Sequence, residues 1–297
     1  MIDVEYLSMK QLLTGIFNDE SATDRPDLMT DAEYAEAYQK MAADYFQGKE
    51  AQENPALLYV TGLPGAGKST FVDKAKAENP PLKNYVHINF DALRLYHPRY
   101  NEHIKQDPIN AAARMDKAVE GLIGWLCQEA AKRKLNVILD DAAVGAEMTR
   151  IVLSPFHANG YSVSAIAVAA PAIVARQSVR LRFEEDFASA KAGKPVIPRW
   201  VNTEEQNNAP AALVETLEII ERERLASSIT IIDRAMNKLY PSDQPSSDAR
   251  TVIEETLLRK LSPEERVVFQ NNEKRIVALV KSRTSPKNTA ITPRKSL

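Results

Sequence analysis

The chain has 297 residues, of which 44% are hydrophobic and 26% are charged, and its formal net charge at pH 7 is -2. These values are typical of a globular protein, and the near-neutral charge argues against a surface specialised for nucleic acid. No apolar run reaches the roughly 20 residues of a membrane-spanning helix, and the acidic start Met1–Glu5 is unlike a secretory signal. The single cysteine, Cys127, excludes an internal disulfide. We therefore expect a cytoplasmic protein.

Residues 1–54 are predicted to form a helical N-terminal segment. A short helix is expected near Tyr6–Phe17, followed by a polar loop. A second helix is predicted at Asp31–Phe46, because Thr30 or Asp31 can act as its N-cap and tyrosines recur at helical spacing after it. We expect its Met and Tyr side chains to pack in the core.

Residues 55–240 alternate short apolar runs with helical patterns. The predicted strands are Leu57–Thr61, Tyr85–Phe90, Val137–Leu139, Val163–Ala169 and Ile229–Ile232. The predicted helices between and around them are Lys68–Ala77, Asn110–Lys134, Gly145–Asn159, Pro171–Ala192 and Glu204–Ala226. Apolar strands that alternate with helices predict an α/β domain with a mainly parallel, five-stranded sheet that is covered on both faces.

The remaining chain is predicted to be a helical C-terminal extension, residues 241–282, and a tail. Pro241–Ser247 has the composition of a linker, and helices are predicted at Asp248–Lys260 and Pro263–Ser282. The basic stretch Arg283–Leu297 contains two prolines and is predicted to be disordered.

A glycine-rich loop after the first strand carries the most specific motif in the sequence. The stretch Gly62-Leu63-Pro64-Gly65-Ala66-Gly67-Lys68-Ser69, followed by Thr70, matches G-x-x-x-x-G-K-[ST] between a buried strand and a helix. Its glycines let backbone N–H groups turn toward one anion, and the helix N-terminus adds a positive dipole end. Lys68 can reach the β- and γ-phosphates, and Ser69 can offer a hydroxyl to Mg²⁺. The motif predicts nucleoside triphosphate binding by a P-loop domain.

Carboxylates follow two other predicted strands, at the edge of a parallel sheet where ligands bind. Asp140 and Asp141 end the run Asn136–Leu139, and Asp140 is the candidate Mg²⁺ ligand; either aspartate can instead cap the next loop or helix. Asp91 follows Val86–Phe90 and is a candidate general base, although it can also act as the N-cap of a helix at Ala92–Tyr96.

Arginines on one predicted helix are candidates for binding a transferred phosphoryl group. They are Arg176, Arg180 and Arg182, joined by Arg199 after the next loop. The alternative is a solvated helix face on which Glu184 and Glu185 are surface partners of one or two arginines. The four histidines show no ligand spacing, so no zinc site is predicted, and Cys127 is predicted to be a buried core thiol.

With these residues in place, the sequence resembles the zeta-toxin family, the toxin–antitoxin kinases that phosphorylate UDP-N-acetylglucosamine. The resemblance spans about Pro55–Arg234. Besides the P-loop, it depends on the segment Ile88–Tyr100, which reads Asp-x-x-Arg-x-x-His-Pro-x-Tyr from Asp91, on the strand that ends at Asp140, and on Arg182-Phe-Glu and Arg199.

The resemblance implies roles for particular residues. Asp91 matches the family's catalytic base, which deprotonates the sugar 3′-hydroxyl, and Ser69 matches the hydroxyl on the metal side. Lys68, Arg182 and Arg199 match the residues that hold the triphosphate of ATP or GTP. Arg94, Asp140 and Asp141, with Asp91, are the residues expected on the acceptor side.

One departure from the family pattern concerns the acceptor. Where the family commonly has Glu-Gly-Thr, this chain has Asp140-Asp141-Ala142, so the threonine that contacts the substrate is absent. A site that hydrogen-bonds a substrate hydroxyl is sensitive to such a loss. The resemblance therefore leaves NAD or a nucleoside open as alternative acceptors.

Three functions are weighed on these grounds. The leading prediction is a small-molecule kinase, and the alternatives are a nucleotide-binding switch and a nucleic-acid-dependent NTPase. The candidate base Asp91 favours the kinase, since a switch needs no acceptor-side base. The family also implies an antitoxin partner, or cover of the site in cis by residues 1–30, for which a plain packing helix is the alternative.

Overall fold

The computed structural model describes residues 27–107, 110–142, 145–194, 196, 198–240 and 248–284. The predicted helix Tyr6–Phe17, the linker Pro241–Ser247 and all but the first two residues of the predicted tail lie outside these residues. Across the described ranges, no helix combines the length and the apolar character that a bilayer crossing requires.

A twisted sheet forms the centre of the domain. Its strands are β1 (Ala56–Gly62), β2 (Val86–Asn89), β3 (Val137–Asp140), β4 (Ser162–Val168), β5 (Ser228–Ile232) and β6 (Lys238–Tyr240). Their order is β2-β3-β1-β4-β5-β6, with β6 antiparallel to β5 and all other pairs parallel. The central strand β1 is almost wholly buried, which explains its continuous apolar sequence.

Ten α-helices surround the sheet in the part of the chain that the structure describes. They are α1 (Asp31–Phe46), α2 (Lys68–Glu78), α3 (Phe90–Leu93), α4 (Tyr100–Gln106), α5 (Ala111–Lys132), α6 (Gly145–Ala158), α7 (Ala172–Lys191), α8 (Thr203–Arg222), α9 (Ala249–Leu258) and α10 (Pro263–Thr284). Short 3₁₀ turns at Pro80–Asn84 and Arg94–Tyr96 complete the connections.

The predicted α/β fold is confirmed, including its five parallel strands and their order along the chain. The sixth strand, β6, was not predicted, because it has three residues and only Tyr240 is buried. So short a segment has no measurable apolar periodicity, and its pairing with β5 decides its conformation. Helix α10 ends two residues later than predicted, so Arg283 belongs to the helix.

Helix α1 begins and ends where the sequence predicted. Thr30 caps it, and Thr30 and Glu33 form a capping box in which each side chain accepts a hydrogen bond from the other residue's backbone. The helix packs on α5: the rings of Tyr38 and Trp125 stack 4.5 Å apart, and the Tyr34 hydroxyl donates to the Ala118 carbonyl at 3.2 Å. Its apolar residues therefore belong to the core, as predicted.

The parallel register brings three strand ends to one edge of the sheet. Val60 of β1 and Asn89 of β2 both lie opposite Asp140 of β3. The chain leaves β1 at this edge through the glycine-rich loop that leads into α2. The sheet thus places the predicted loop and both predicted strand-end carboxylates together.

Candidate active site

A cleft of about 620 Å³ opens at this edge of the sheet. The loop after β1 contributes Pro64, Gly65, Gly67, Lys68, Ser69 and Thr70 to its lining. Polar and charged residues near the strand ends also line it, namely Asn89, Asp91, Arg94, Asp140 and Asp141. Arg182 of α7 and Arg199 complete this wall. A further group comes from α5, α6 and α8, namely Asp116, Glu120, Ile123, Met148, Val152 and Glu205. The cleft therefore combines the candidate residues with a second, largely unpredicted wall.

The glycines of the loop adopt backbone conformations that other residues avoid. The φ angles of Gly62, Gly65 and Gly67 are 148°, 81° and 109°. At Gly62 a side chain is also excluded by packing, since a Cβ atom would lie 2.5 Å from the carbonyl oxygen of Val168. The loop can take this shape because its glycines carry no Cβ, and loops of this kind can present several backbone amides to one anion.

Lys68 is held over the loop that precedes it. Its Nζ atom donates to the carbonyl oxygens of Gly62 at 3.0 Å and Leu63 at 3.2 Å. Desolvation lowers the pKa of Lys68 to about 8; Arg199 and Arg182 repel the charged form, while Asp140 and Asp141 favour it. A bound polyphosphate would place negative charge beside this ammonium and so raise the pKa of Lys68 again.

Not every residue of the loop faces the cleft. Of the nine predicted nucleotide-binding residues, Gly62, Leu63 and Ala66 do not line it. Leu63 and Ala66 are instead buried. Their side chains anchor the loop, while their backbone shapes it.

Asp140 is buried at the end of β3 and has one unused oxygen. Its Oδ2 atom accepts a hydrogen bond from Asn89 at 2.9 Å and lies 3.8 Å from Nε2 of His87. Its Oδ1 atom is buried without a hydrogen-bond partner among the described residues. Burial alone would raise the pKa of Asp140, but His87, Lys68 and Asn89 outweigh it and hold the pKa below its usual value.

The neighbouring carboxyl behaves differently. Asp141 is buried, and its backbone amide donates to the Val60 carbonyl at 3.0 Å. Burial raises the pKa of Asp141 to about 7 and Asp140 adds to this rise, although Lys68 opposes it. An ionised Asp140 with an unsatisfied oxygen and the cleft-facing Ser69 provide the hard oxygen donors that Mg²⁺ prefers.

Asp91 stands in the first turn of α3 with both carboxylate oxygens engaged. Arg94 donates to Oδ1 at 2.7 Å, and Arg199 pairs with Oδ2. The alternative role of Asp91 as a helix N-cap is wrong: Asn89 is the cap, and its side chain accepts from the Ala92 amide. Asp91 is thus free of a capping role, and it lines the cleft.

Arg182 and Arg199 both reach the cleft. The Nε and Nη2 atoms of Arg182 are buried and find no hydrogen-bond partner in the described structure. Desolvation lowers the pKa of Arg182, and it lowers that of Arg199 to about 10. Burying guanidinium N–H donors without an acceptor costs free energy. The two unbonded donors of Arg182 therefore indicate a binding site for an anion.

The other arginines of α7 do not contribute. Arg176 and Arg180 are exposed and do not line the cleft. For Arg176 and Arg180 the alternative of a solvated helix face therefore holds, but without the expected partners: Glu184 is buried and binds Arg283, while Glu185 pairs with Arg275. Both partners come from α10, whose position the sequence did not reveal.

Acidic residues on α5 and α8 were missed. Asp116 binds Arg94, whose Nε donates to it at 2.9 Å. Glu120 stands one turn further along α5, and Glu205 lies in the first turn of α8. Burial raises the pKa of all three, that of Glu120 to about 7. Asp116 and Glu120 do share a helix face, four residues apart, but this spacing is common on solvated helices and does not single them out.

Two histidines gather around Asp27. Ligand atoms of Asp27, His97 and His103 lie within 4.8 Å of one another. Arg99 already occupies the carboxylate, with Nε 2.6 Å from Oδ2 of Asp27, and His103 is at the same distance. The Arg99 guanidinium is therefore the cation that pairs with this carboxylate. The cluster joins the chain just before α1 to the segment after Asp91.

The geometry defines what the cleft can do chemically. An amide-lined loop with Lys68 can bind a polyphosphate, and Arg182 can bind a further anionic group. Asp91 can accept a proton from a hydroxyl beside them.

Comparison with known proteins identifies relatives of the chain. A model of the family described as zeta toxin matches residues 42–245. Among curated proteins, Toxin zeta of Streptococcus pyogenes is 24% identical over 241 residues, which cover 80% of each chain. Toxin PezT of Streptococcus pneumoniae serotype 4 is 23% identical over 252 residues, 84% of this chain and 97% of that protein.

A solved structure shares the fold. It comes from the PezAT chromosomal toxin–antitoxin system of Streptococcus pneumoniae and superposes with a TM-score of 0.71. The match covers 85% of this chain and 98% of the other, at 20% sequence identity.

Proposed function

Because the chain belongs to the zeta toxin family of P-loop, kinase-like toxins, we propose that it is a phosphotransferase that transfers the γ-phosphate of ATP or GTP to a hydroxyl group of a small molecule. The observation that carries the proposal is the placement of Asp91 in the same cleft as the P-loop and as Arg182, whose Nε and Nη2 atoms find no acceptor among the described residues. A nucleotide-binding switch needs the loop but not a carboxylate on the acceptor side.

Each charged group of the cleft has a role in the proposed transfer step. The acceptor oxygen attacks the γ-phosphorus, the bond to the β-phosphate oxygen breaks, and Asp91 takes the hydroxyl proton. Lys68 and Arg182 balance the charge that spreads over the transferred group and the leaving diphosphate. Arg199, which pairs with Asp91, links the base to this group of cations.

The residues at the end of β3 fit a magnesium ion. Asp140, through its unsatisfied oxygen, and the Ser69 hydroxyl would hold it. When bound, Mg²⁺ would neutralise part of the charge on the β- and γ-phosphates. The remaining work falls to the side chains already named.

The proposed acceptor is the 3′-hydroxyl of UDP-N-acetylglucosamine or a related UDP-sugar, as in the family. Asp91, Arg94, Asp140 and Asp141 line the cleft from which the acceptor would be reached. Ala142 stands where the family's threonine is expected, so NAD or a nucleoside is the alternative acceptor.

A protein partner belongs to the same proposal. The solved relative is described as part of a toxin–antitoxin system. We propose an antitoxin for this chain also, with inhibition in cis by the N-terminal segment as the alternative. Cytoplasmic residence follows from the proposed substrates.

The test is a transfer assay with γ-labelled ATP and GTP and a panel of UDP-sugars, free sugars, nucleosides and NAD, with mass spectrometry of the products. Singly phosphorylated UDP-N-acetylglucosamine would support the proposal in full. Transfer to another acceptor would keep the mechanism and change the substrate. Nucleotide binding without any transfer would contradict the kinase and favour the switch.

A further inference from the structure

The C-terminal helix α10 packs against α7, the helix that carries Arg182. It lies beyond residues 42–245, the part that the family model matches. Near its end, Arg283 makes a two-pronged contact with Glu184: Nε donates to Oε2 at 2.8 Å and Nη2 donates to Oε1 at 3.0 Å. Only 3% of the Glu184 side chain is exposed. Two parallel hydrogen bonds between a guanidinium and a carboxylate restrict their relative orientation. This contact therefore fixes the position of α7 at Glu184 relative to α10.

Aromatic rings extend the contact to the residues next to Arg182 and Arg199. The Arg283 guanidinium lies 5.7 Å from the ring centre of Phe183 and 5.6 Å from that of Phe187. The Phe183 ring meets Trp200 edge-on, with centres 5.2 Å apart. Phe183 follows Arg182 in the chain, and Trp200 follows Arg199. The two cleft arginines therefore each stand next to a residue of this aromatic contact.

A second anchor, Gln177, lies about two turns before Glu184 on α7. The Gln177 amide donates to the Phe269 carbonyl and to Glu273, both at 2.8 Å, and accepts from Asn272 at 3.2 Å. Gln177 is buried, and its neighbour Ser178 lines the cleft. Helix α7 is thus held by α10 on both sides of the turn that presents Arg182.

Arg182 needs such support because the described protein offers its Nε and Nη2 atoms no acceptor. Residues 182 and 184 point in different directions from the helix, since side chains two positions apart do not share a face. Glu184 therefore acts through the position of α7 rather than by touching the cleft. We propose that Arg283, through Glu184 and the Phe183–Trp200 contact, is a positioning residue that sets Arg182 and Arg199 for binding the γ-phosphate. This inference rests on the proposed function of the cleft.

The experiment compares affinities for ATP and ADP, measured by calorimetry on the full chain, in Arg283→Ala, Arg283→Lys and Arg182→Ala. ADP lacks the γ-phosphate, so the ratio of the two affinities reports Arg182 and Arg199, whereas general destabilisation leaves the ratio unchanged. We expect Arg283→Ala to lower the ATP/ADP ratio by about tenfold, approaching the effect of Arg182→Ala. Arg283→Lys, which keeps the charge but loses the fork, should lower the ratio less, and it replaces the alanine variant if that variant fails to fold.

Arg275→Ala is the matched control. Arg275 joins the same two helices through Glu185, at 2.7 Å, but Arg275 is exposed and Glu185 is only half-buried, so removal of Arg275 should leave the ratio unchanged. An unchanged ratio in the folded Arg283 variants would overturn the inference, as would an unchanged ratio in Arg182→Ala.

The wild-type transfer assay separates the inference from the proposed function. A reduced ratio in the Arg283 variants supports the positioning role even if the wild-type protein transfers no phosphate. Wild-type transfer with an unchanged ratio in these variants keeps the kinase and removes the role of Arg283.

Discussion

Asp91 illustrates how a residue's neighbours determine its use. Both of its oxygens contact guanidinium groups, Arg94 on one side and Arg199 on the other. Arg94 is itself buried and shared with Asp116. Arg94 holds this carboxylate in the cleft, and a ligand that pairs with Arg199 would release its Oδ2 atom to meet a hydroxyl.

Asp91→Asn should lower the rate of phosphoryl transfer by about 10²–10⁴-fold, because a neutral amide is far too weak a base to take the hydroxyl proton. Its nucleotide affinity should change little, since the loop and Lys68 are untouched. Transfer is measured with labelled ATP and binding by calorimetry, with the exposed Asp73→Asn on α2 as control. Full transfer in Asp91→Asn would show that another group is the base.

Glu120 is a carboxyl group of the cleft whose pKa is raised. It is part-buried on α5, and burial together with the nearby Asp116 raises its pKa from 4.5 to about 7. Between these two values the unfolded carboxyl is ionised while the folded one keeps its proton. The folded state then binds more protons, so its stability should fall as the pH rises through this range.

Glu120→Gln should remove this dependence. We expect the variant to be more stable than the wild type at pH 8, by about 1–2 kcal/mol after allowance for solvent screening, and to show little difference near pH 4. Thermal unfolding from pH 4 to 8 measures the effect. Glu129→Gln, on the same helix but outside the cleft and paired with Arg133, is the control for the change from carboxylate to amide. Parallel curves for wild type and Glu120→Gln would contradict the raised pKa.

At the scale of elements, the P-loop is packed against α7. A Cβ atom at Gly65 would overlap the carbonyl oxygen of Ala175 and lie 3.0 Å from a methyl group of Val179. The φ angle of Gly65, 81°, adds a backbone penalty for any other residue. The glycine thus serves the contact between loop and helix as well as the turn.

Gly65→Ala should weaken nucleotide binding by about tenfold or more, because the loop must move away from α7 to admit the methyl group. Gly48→Ala is the matched control: its φ is similar, at 70°, but no atom lies within 4 Å of the added Cβ. That variant should lose only about 1–2 kcal/mol of stability and bind nucleotide normally. Equal nucleotide affinities in the two variants would show that loop packing on α7 is unimportant.

At the scale of the whole molecule, the segment after Asp91 is tied to the N-terminal part of the chain. His97 contacts the Asp27 carbonyl at 3.1 Å, and Arg99 pairs with Asp27 and Glu33. Tyr96 donates to Asp44 at 2.7 Å. The segment that follows Asp91 therefore also fastens the start of the described chain and α1 to the domain.

Deleting residues 1–26 tests inhibition in cis while keeping every residue that makes these contacts. If the deleted segment covers the nucleotide site, ATPase activity should rise several-fold with little change in the midpoint of thermal unfolding. Deletion of residues 1–30 serves as the comparison, since it also removes Asp27 and the Thr30 cap and should lower that midpoint. An unchanged ATPase rate after the shorter deletion would argue for a packing segment.

Much of the architecture could be predicted because it is written in local patterns. Apolar runs and helical periodicity gave the five parallel strands and the bounds of α1, and β-strand order along the chain followed from their alternation. The P-loop was found for the same reason, as glycines and Lys68 must occupy fixed positions in a continuous stretch. Asp91 and Asp140 could be placed at one edge because parallel strands end together.

The tertiary structure alone decided which charges meet. The sequence could not show that Arg199 reaches Asp91, that Glu184 is buried against Arg283, or that Glu120 lines the cleft. Each depends on the packing of helices distant in sequence, and a charged residue on a helix has the same local pattern whether it is buried or solvated. The sequence by itself determined the fold class and the loop that binds phosphate, while packing determined the partners, burial and pKa of the groups around it.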